Sequence, residues 1–384
     1  MRRLILLGLL AALALPGEAA KRVTVSQLEQ ALTSATAAHK PDAEIARQIN
    51  GMELSERLTE TTLGRLTAHL SSGSQVVLAL QLLADHSAFL DPPATELPAS
   101  AAPDDATQQR ILESARNYVA QTLPRLPNFL ATRTINRYDD SPQALKKGAW
   151  PVRVGLHQVD TSSYEISVRD ERENQPPTQG SAVWKSQIGM ISGGEFGTTL
   201  GMILADSSKG SLTWSHWEQI EAEPAAVFHY SVPRPASHFE VIGFQEKASL
   251  VGFGTVTRGS RPSPVGIQAG DPANTEIVHA KPGYHGSLWL DPATGTVLRI
   301  TMEADLKVND PLQRAAILVQ YGPIQISGAN FICPVRSIAL SMTTPASQTS
   351  NSGDAPTEWL NETLFTHYHR FSSTATVLTG PPPS

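Results

Sequence analysis

The sequence predicts an α+β protein: a small N-terminal helical bundle, then a large, curved, mainly antiparallel β-sheet (a half-barrel) with one or two short helices. Three observations predict it. First, Phe89 and Tyr118 are the only aromatic residues ahead of Leu126, and all six Trp follow it. Second, the early part is rich in Ala, Leu, Gln and Glu, which favour helix. Third, from Pro127 onward branched and aromatic residues alternate with polar ones between turn residues, as strands require. With 384 residues, 40% hydrophobic and 17% charged, the chain has enough apolar material for a core and too much for a disordered chain.

Residues 1–19 have the anatomy of a secretory signal peptide. Arg2 and Arg3 give a charged start, Leu4 to Leu15 an apolar run, and Pro16-Gly17-Glu18-Ala19 a breaker with small residues for cleavage after Ala19. The run is too short to span a hydrocarbon core, which needs about 20 apolar residues. The expected location is therefore periplasmic or extracellular, with no integral membrane segment after cleavage.

Residues 20–90 form the expected bundle. Val25 to Ala38 reads as a helix with Ser26 and Glu29 as a capping box. Pro41-Asp42 opens a second that stops at Gly51. Leu54, Leu58, Leu63, Leu66 and Leu70 mark a third. Ser74 to Phe89 is apolar nearly all round and so must be buried on several sides. Residues 91–103 read as a Pro/Ala-rich linker. Residues 104–126 hold a helix capped by Asp104, with Ile111, Leu112, Ala115, Tyr118 and Val119 as its stripe, leading into the sheet.

The curved β domain is expected over residues 127–377, with residues 378–384 a disordered tail. Phe129 to Tyr138 and Tyr164 to Val168 alternate as strands, and Glu195 to Leu204 reads as a short helix after Gly193-Gly194. Thr213 to Ile220 and Ala225 to Tyr230 make a hairpin, His238 to Phe244 a strand, and Phe253 to Pro272 a long Gly/Pro-rich loop. His285 to Leu290 and Thr296 to Ala304 form the clearest hairpin. Asp291-Pro292 starts its turn and Gly295 takes the left-handed conformation. Leu298, Ile300, Met302 and Ala304 are expected on a dry face, Arg299, Thr301 and Glu303 on a wet one. Ala315 to Tyr321, Ile324 to Ile326, Phe331 to Met342 and Leu364 to Phe371 bring the count to roughly ten strands.

Several function classes are excluded or unsupported. Lys and Arg total 30 against 36 Asp and Glu, a net charge of −6, without the basic excess of a nucleic-acid binder. Cys333 is the only cysteine, so there is no intrachain disulfide and no multi-cysteine metal site; its apolar surroundings read as a buried small hydrophobe. No nucleophile elbow, phosphate loop or His-Glu-x-x-His motif occurs, and Gly252-Phe253-Gly254 lacks the context of a dinucleotide site. No catalytic residue and no cofactor is assigned. His367 with His369, His216 with Glu218 and His238 with Glu240 have same-face strand spacing, enough to raise a metal-dependent hydrolase. None has the third ligand a zinc site needs, so no metal site is assigned. Trp214, Phe228, Trp289, Phe331 and Phe365 either fill the core or line an apolar ligand cavity under the sheet.

Gly286-Ser287-Leu288-Trp289-Leu290-Asp291 with Val297-Leu298-Arg299 resembles the central hairpin of the periplasmic lipoprotein-carrier superfamily. Tyr321-Gly322, Ile326-Ser327-Gly328, Phe331 and Pro334-Val335 resemble its following strands. The resemblance covers about two thirds of the chain. It implies a half-barrel whose concave side, plugged by helices, holds acyl chains, with Glu195 to Leu204 as the plug; it carries over no ligand-contacting residue. Leu83 to Pro93 and Leu126 to Arg133 are similar to segments of exported bacterial proteins with no assigned activity. The expected function is an exported non-enzymatic protein binding a lipid or other apolar small molecule. The alternative is a cell-envelope interaction module whose bundle docks a protein partner.

Overall fold

The structure, a computed structural model, describes residues 21–143, 152–169, 172–174, 190–220, 223–246, 249–257, 275–307, 310, 312–343 and 357–370. The expected signal peptide and C-terminal tail lie outside them. The chain divides between Leu90 and Asp91 into two compact units.

The first unit contains β1 (Lys21–Val23), α1 (Val25–Ala37), α2 (Asp42–Asn50), β2 (Met52–Leu54), α3 (Glu60–Thr67) and α4 (Gln75–Ser87). Leu28, Ile49, Leu54, Leu80 and Leu83 lie at the centre of its core. The capping box of α1 lies two residues earlier than expected. Thr24 Oγ1 accepts the Gln27 N–H, and Gln27 Oε1 accepts the Thr24 N–H. The expected third helix is also shorter. Leu54 lies in β2, which pairs parallel with β1 and buries Val23 and Leu54 in one core. The helix itself begins only after Thr59, whose side chain caps it. Leu70 falls beyond its end and is exposed.

The second unit opens with α5 (Asp105–Thr122), capped as expected by Asp104, whose Oδ1 accepts the Thr107 N–H at 2.7 Å. Its strands are β3 (Phe129–Asp139), β4 (His157–Arg169), β5 (Arg172–Asn174), β6 (Met190–Ile191), β7 (Ser211–Ile220), β8 (Glu223–Val232), β9 (Phe239–Glu246), β10 (Ser249–Thr257), β11 (Thr275–Ala280), β12 (Gly283–Leu290), β13 (Val297–Asp305), β14 (Leu312–Ile326), β15 (Ala329–Thr343) and β16 (Glu358–Arg370). Among the described residues one α-helix, α6 (Thr198–Asp206), interrupts them. Ten strands form an antiparallel sheet in the order β5-β4-β3-β16-β15-β14-β13-β12-β8-β7, which does not close. The fold is thus α+β with a large open antiparallel sheet.

A second sheet was not anticipated. It has the order β11-β9-β10-β6, with β6 parallel to β10. Its existence corrects the loop expected from Phe253: Phe253–Thr257 is paired strand, in register with Phe239–Gly243 of β9. Glycine and proline density misled there because Phe253, Thr255 and Val256, residue types that favour strand, surround Gly254. The remainder of that expected loop, 258–272, lies outside the described residues.

One face of the large sheet carries the main core. Phe228, Leu288, Leu290, Ile300, Met302 and Val319 meet Ile111, Leu112 and Ala115 of α5, Leu200 and Ile203 of α6, and Phe239 and Val241 of β9. The dry/wet split expected for β13 does not hold. Thr301 and Arg299 are buried as well as Ile300 and Met302. A bulge opposite Trp289/Leu290 moves Leu298 out of the main core to a cluster with Trp289, Ala225, Val227 and Ile220 on the opposite face. Cys333 is buried, and burial pushes its thiol up to about 12, so it stays protonated.

Candidate functional site

The helix α6 lies over the apolar face of the open sheet. It begins at Thr198 rather than Glu195, because Gly194 and Gly197 hold positive φ (86° and 129°) and turn the chain sharply before the helix. Leu200, Met202, Ile203 and Leu204 are all buried in the main core. Between its ends the contact that the helix makes with that core is, among the described residues, hydrophobic and so non-directional.

Each end is fixed by a buried carboxylate. Ahead of the helix, Glu195 Oε2 accepts from Arg133 Nη2 at 3.0 Å and its Oε1 accepts from Ser192 Oγ at 2.6 Å. Arg133 Nη1 also pairs with Glu173 Oε1 at 2.9 Å, and its guanidinium lies 5.1 Å from the centre of the Phe365 ring. Tyr321 Oη donates to the Glu195 carbonyl at 3.1 Å, and burial holds that phenol far above its ordinary pKa. At the other end, Asp206 Oδ2 accepts from Tyr284 Oη at 2.9 Å and from the His238 N–H at 2.8 Å. Its Oδ1 lies 2.5 Å from His238 Nδ1. Burial of Tyr284, then the nearby Tyr230 and Asp206, raise its pKa well beyond the usual tyrosine range.

The inner face is polar on the β3/β16 side. Arg133 and Arg137 occupy the same strand face as Phe129, Ala131 and Ile135, and all five are buried. Arg137 Nη1 donates to Asp160 Oδ2 at 2.6 Å and to Ser162 Oγ at 3.0 Å, while Asn361 Nδ2 donates to the Met190 carbonyl at 2.8 Å. Burial lowers the Arg137 pKa despite Asp160.

The five aromatics expected to line a cavity fall into three clusters. Phe228 and Trp214 meet at 5.5 Å in and beside the main core. Phe365 and Phe331 belong to a second cluster, where Phe365 stacks edge-on against Phe196 at 5.3 Å. Trp289 is on the opposite face of the sheet, stacked with Arg299. The anchors missed by sequence reading are Arg133, Glu195 and Asp206. A local signal existed for Arg133 and Arg137, which stand in phase with apolar residues along one strand; partners as distant as Glu195 leave none.

The histidine pairs have local partners. His367 has φ 51° and sits in a bulge between Thr366 and His369, so the same-face spacing is lost and both rings are exposed. His238 is bound to Asp206. His216 Nε2 lies 3.4 Å from Glu218 Oε2, and Trp289 Nε1 donates to that same oxygen at 2.8 Å. Among the described residues no three His, Cys, Asp or Glu side chains converge on a metal position. Ser215 Oγ lies 2.8 Å from both His216 Nδ1 and His229 Nε2, and His229 Nδ1 is 2.8 Å from Ser287 Oγ.

Burial is the main cause lowering the His229 pKa, opposed by Asp91 at 3.6 Å and reinforced by His216. The folded state therefore prefers the neutral ring. As pH falls through about 6.5 the unfolded chain takes up protons before the folded one, so this contribution to stability is present above that pH and lost below it. The Tm decrease between about pH 8 and about pH 5.5 is expected to be smaller in His229→Gln than in the parent chain, as measured by thermal unfolding.

The fold and site define an open antiparallel sheet with a pinned apolar helix laid on its inner face. Compared with family models, curated proteins and solved structures, the chain finds no match in any of the three.

Proposed function

We propose that this protein is an exported carrier or sensor that takes an acyl chain or similar apolar ligand between the large sheet and α6. One observation carries the reading: among the described residues, α6 is held by directional bonds at its two ends, through Glu195 and Asp206. Its buried middle, Leu200 to Leu204, makes apolar contacts that an acyl chain can replace. On this reading α6 is the displaceable plug that the resemblance to lipoprotein carriers implies.

The test is native mass spectrometry of the purified exported protein, followed by organic extraction and titration with a fluorescent fatty acid. A lipid-sized mass increment and saturable probe binding are expected. A bare polypeptide mass together with no saturable binding overturns the reading.

A second reading, docking of an envelope protein on the first unit, is favoured by the exposed Leu70, Leu78 and Leu90, all in the first ninety residues. It requires that deleting Val25 to Phe89 abolish partner pull-down.

A further inference from the structure

The opposite face of the large sheet holds a hydrogen-bonded series that the carrier reading does not use. Leu288 and Leu290 of β12 and Phe228 and Tyr230 of β8 point into the main core. Strand alternation therefore turns Ser287, Trp289, Val227 and His229 to the other side. On the neighbouring edge strand β7, a bulge between Trp214 and His216 brings Ser215, His216 and Glu218 to the same face.

Proton counting gives this series a direction. The Glu218 carboxylate only accepts, so His216 Nε2 carries the hydrogen that faces it at 3.4 Å. In the neutral ring His216 Nδ1 is then an acceptor, and the single hydroxyl proton of Ser215 goes to it at 2.8 Å. Ser215 Oγ is left to accept from His229 Nε2–H, also at 2.8 Å. That fixes His229 Nδ1 as an acceptor, and Ser287 Oγ donates to it at 2.8 Å. With both rings neutral, every link donates toward Glu218, whose Oε2 also receives Trp289 Nε1–H. Ser287 stands at the head, with an imidazole acceptor on its proton; burial of His229 favours the neutral ring this needs.

We propose that Ser287 is a nucleophilic hydroxyl toward carboxylic esters, with His229 as its general base and Ser215, His216 and Glu218 as positioning residues. In the reaction, Ser287 Oγ forms a bond to the ester carbonyl carbon as its proton passes to His229 Nδ1. The tetrahedral adduct collapses by breaking the carbon–oxygen bond to the alcohol, which leaves with the proton from His229. Water, deprotonated by the same ring, then releases the carboxylic acid and restores the Ser287 hydroxyl. The site is on the other side of the sheet from α6, so it stands or falls independently of ligand carriage.

The experiment treats the full exported protein with a fluorophosphonate probe and maps the adduct by peptide mass spectrometry. A covalent adduct on Ser287 is expected, absent in Ser287→Ala and formed about 100-fold or more slowly in His229→Gln. The parent chain alone decides the first point, so misfolding of a variant does not blur it. No adduct on Ser287, or an adduct whose rate His229→Gln leaves unchanged in a folded variant, overturns the proposal.

Discussion

Arg133→Met is expected to lower the free energy of unfolding by about 3–5 kcal/mol, the cost of removing one partner from a buried ion pair. Arg133 and Glu195 are each 1% exposed at their side chains, and Glu173 is 13% exposed. Burial is the largest influence on the Arg133 charge and disfavours it, yet Glu173 and Glu195 together carry the guanidinium above its ordinary pKa. Methionine fills much of the volume and keeps contact with Phe365, but leaves two carboxylates without their cation. Denaturant unfolding measures the loss. The double variant Arg133→Met/Glu195→Gln is expected to recover part of it, since Gln still accepts from Ser192 without a charge. A loss below about 1 kcal/mol, the scale of an exposed pair, would show that the carboxylates are solvated and that α6 is not anchored through Arg133.

The same residue shows where sequence reading stops. Alternation over Phe129 to Tyr138 located β3, and the stripe Ile111, Leu112, Ala115 and Val119 located the buried face of α5, because both signals are local periods. The Asp291 to Gly295 turn was legible for a similar reason: Asp291 Oδ1 accepts the Ala293 N–H, and Gly295 takes φ 74°. Features set by pairing between distant segments were not legible. The parallel pairing of β1 with β2 and the second sheet depend on which strand lies alongside, which no local period encodes. Single-residue bulges also defeat face assignment. Those at Trp214/His216 and Trp289/Leu290 decide which of Trp214, Trp289, Leu298 and His216 face the main core. The five aromatics thus share a strand-like setting in the sequence but not a cavity in the fold. The inner-face arginines were overlooked because a charge on a strand is ordinarily taken as its solvated side.

Gly295→Ala is expected to cost about 3 kcal/mol, from two separable causes. A β-carbon at φ 74° is unfavourable in itself, by about 1–2 kcal/mol. The second cause is tertiary: that carbon would lie 2.3 Å from the Ser114 carbonyl carbon and 2.6 Å from the Ala115 nitrogen, both helix backbone of α5. Helix backbone cannot rotate aside as a side chain can, so the turn must lift away from α5. Lifting it loosens Ala115 and Val297, which are buried in the main core. Gly295→Asn distinguishes the two causes, because asparagine tolerates the left-handed conformation but carries the same β-carbon. If close approach dominates, Asn is expected to be nearly as destabilising as Ala in thermal and denaturant unfolding. Should Asn restore most of the stability, the turn conformation alone explains the glycine. The first result would show that α5, although it precedes the sheet in sequence, is clamped to the β12–β13 hairpin through one glycine contact.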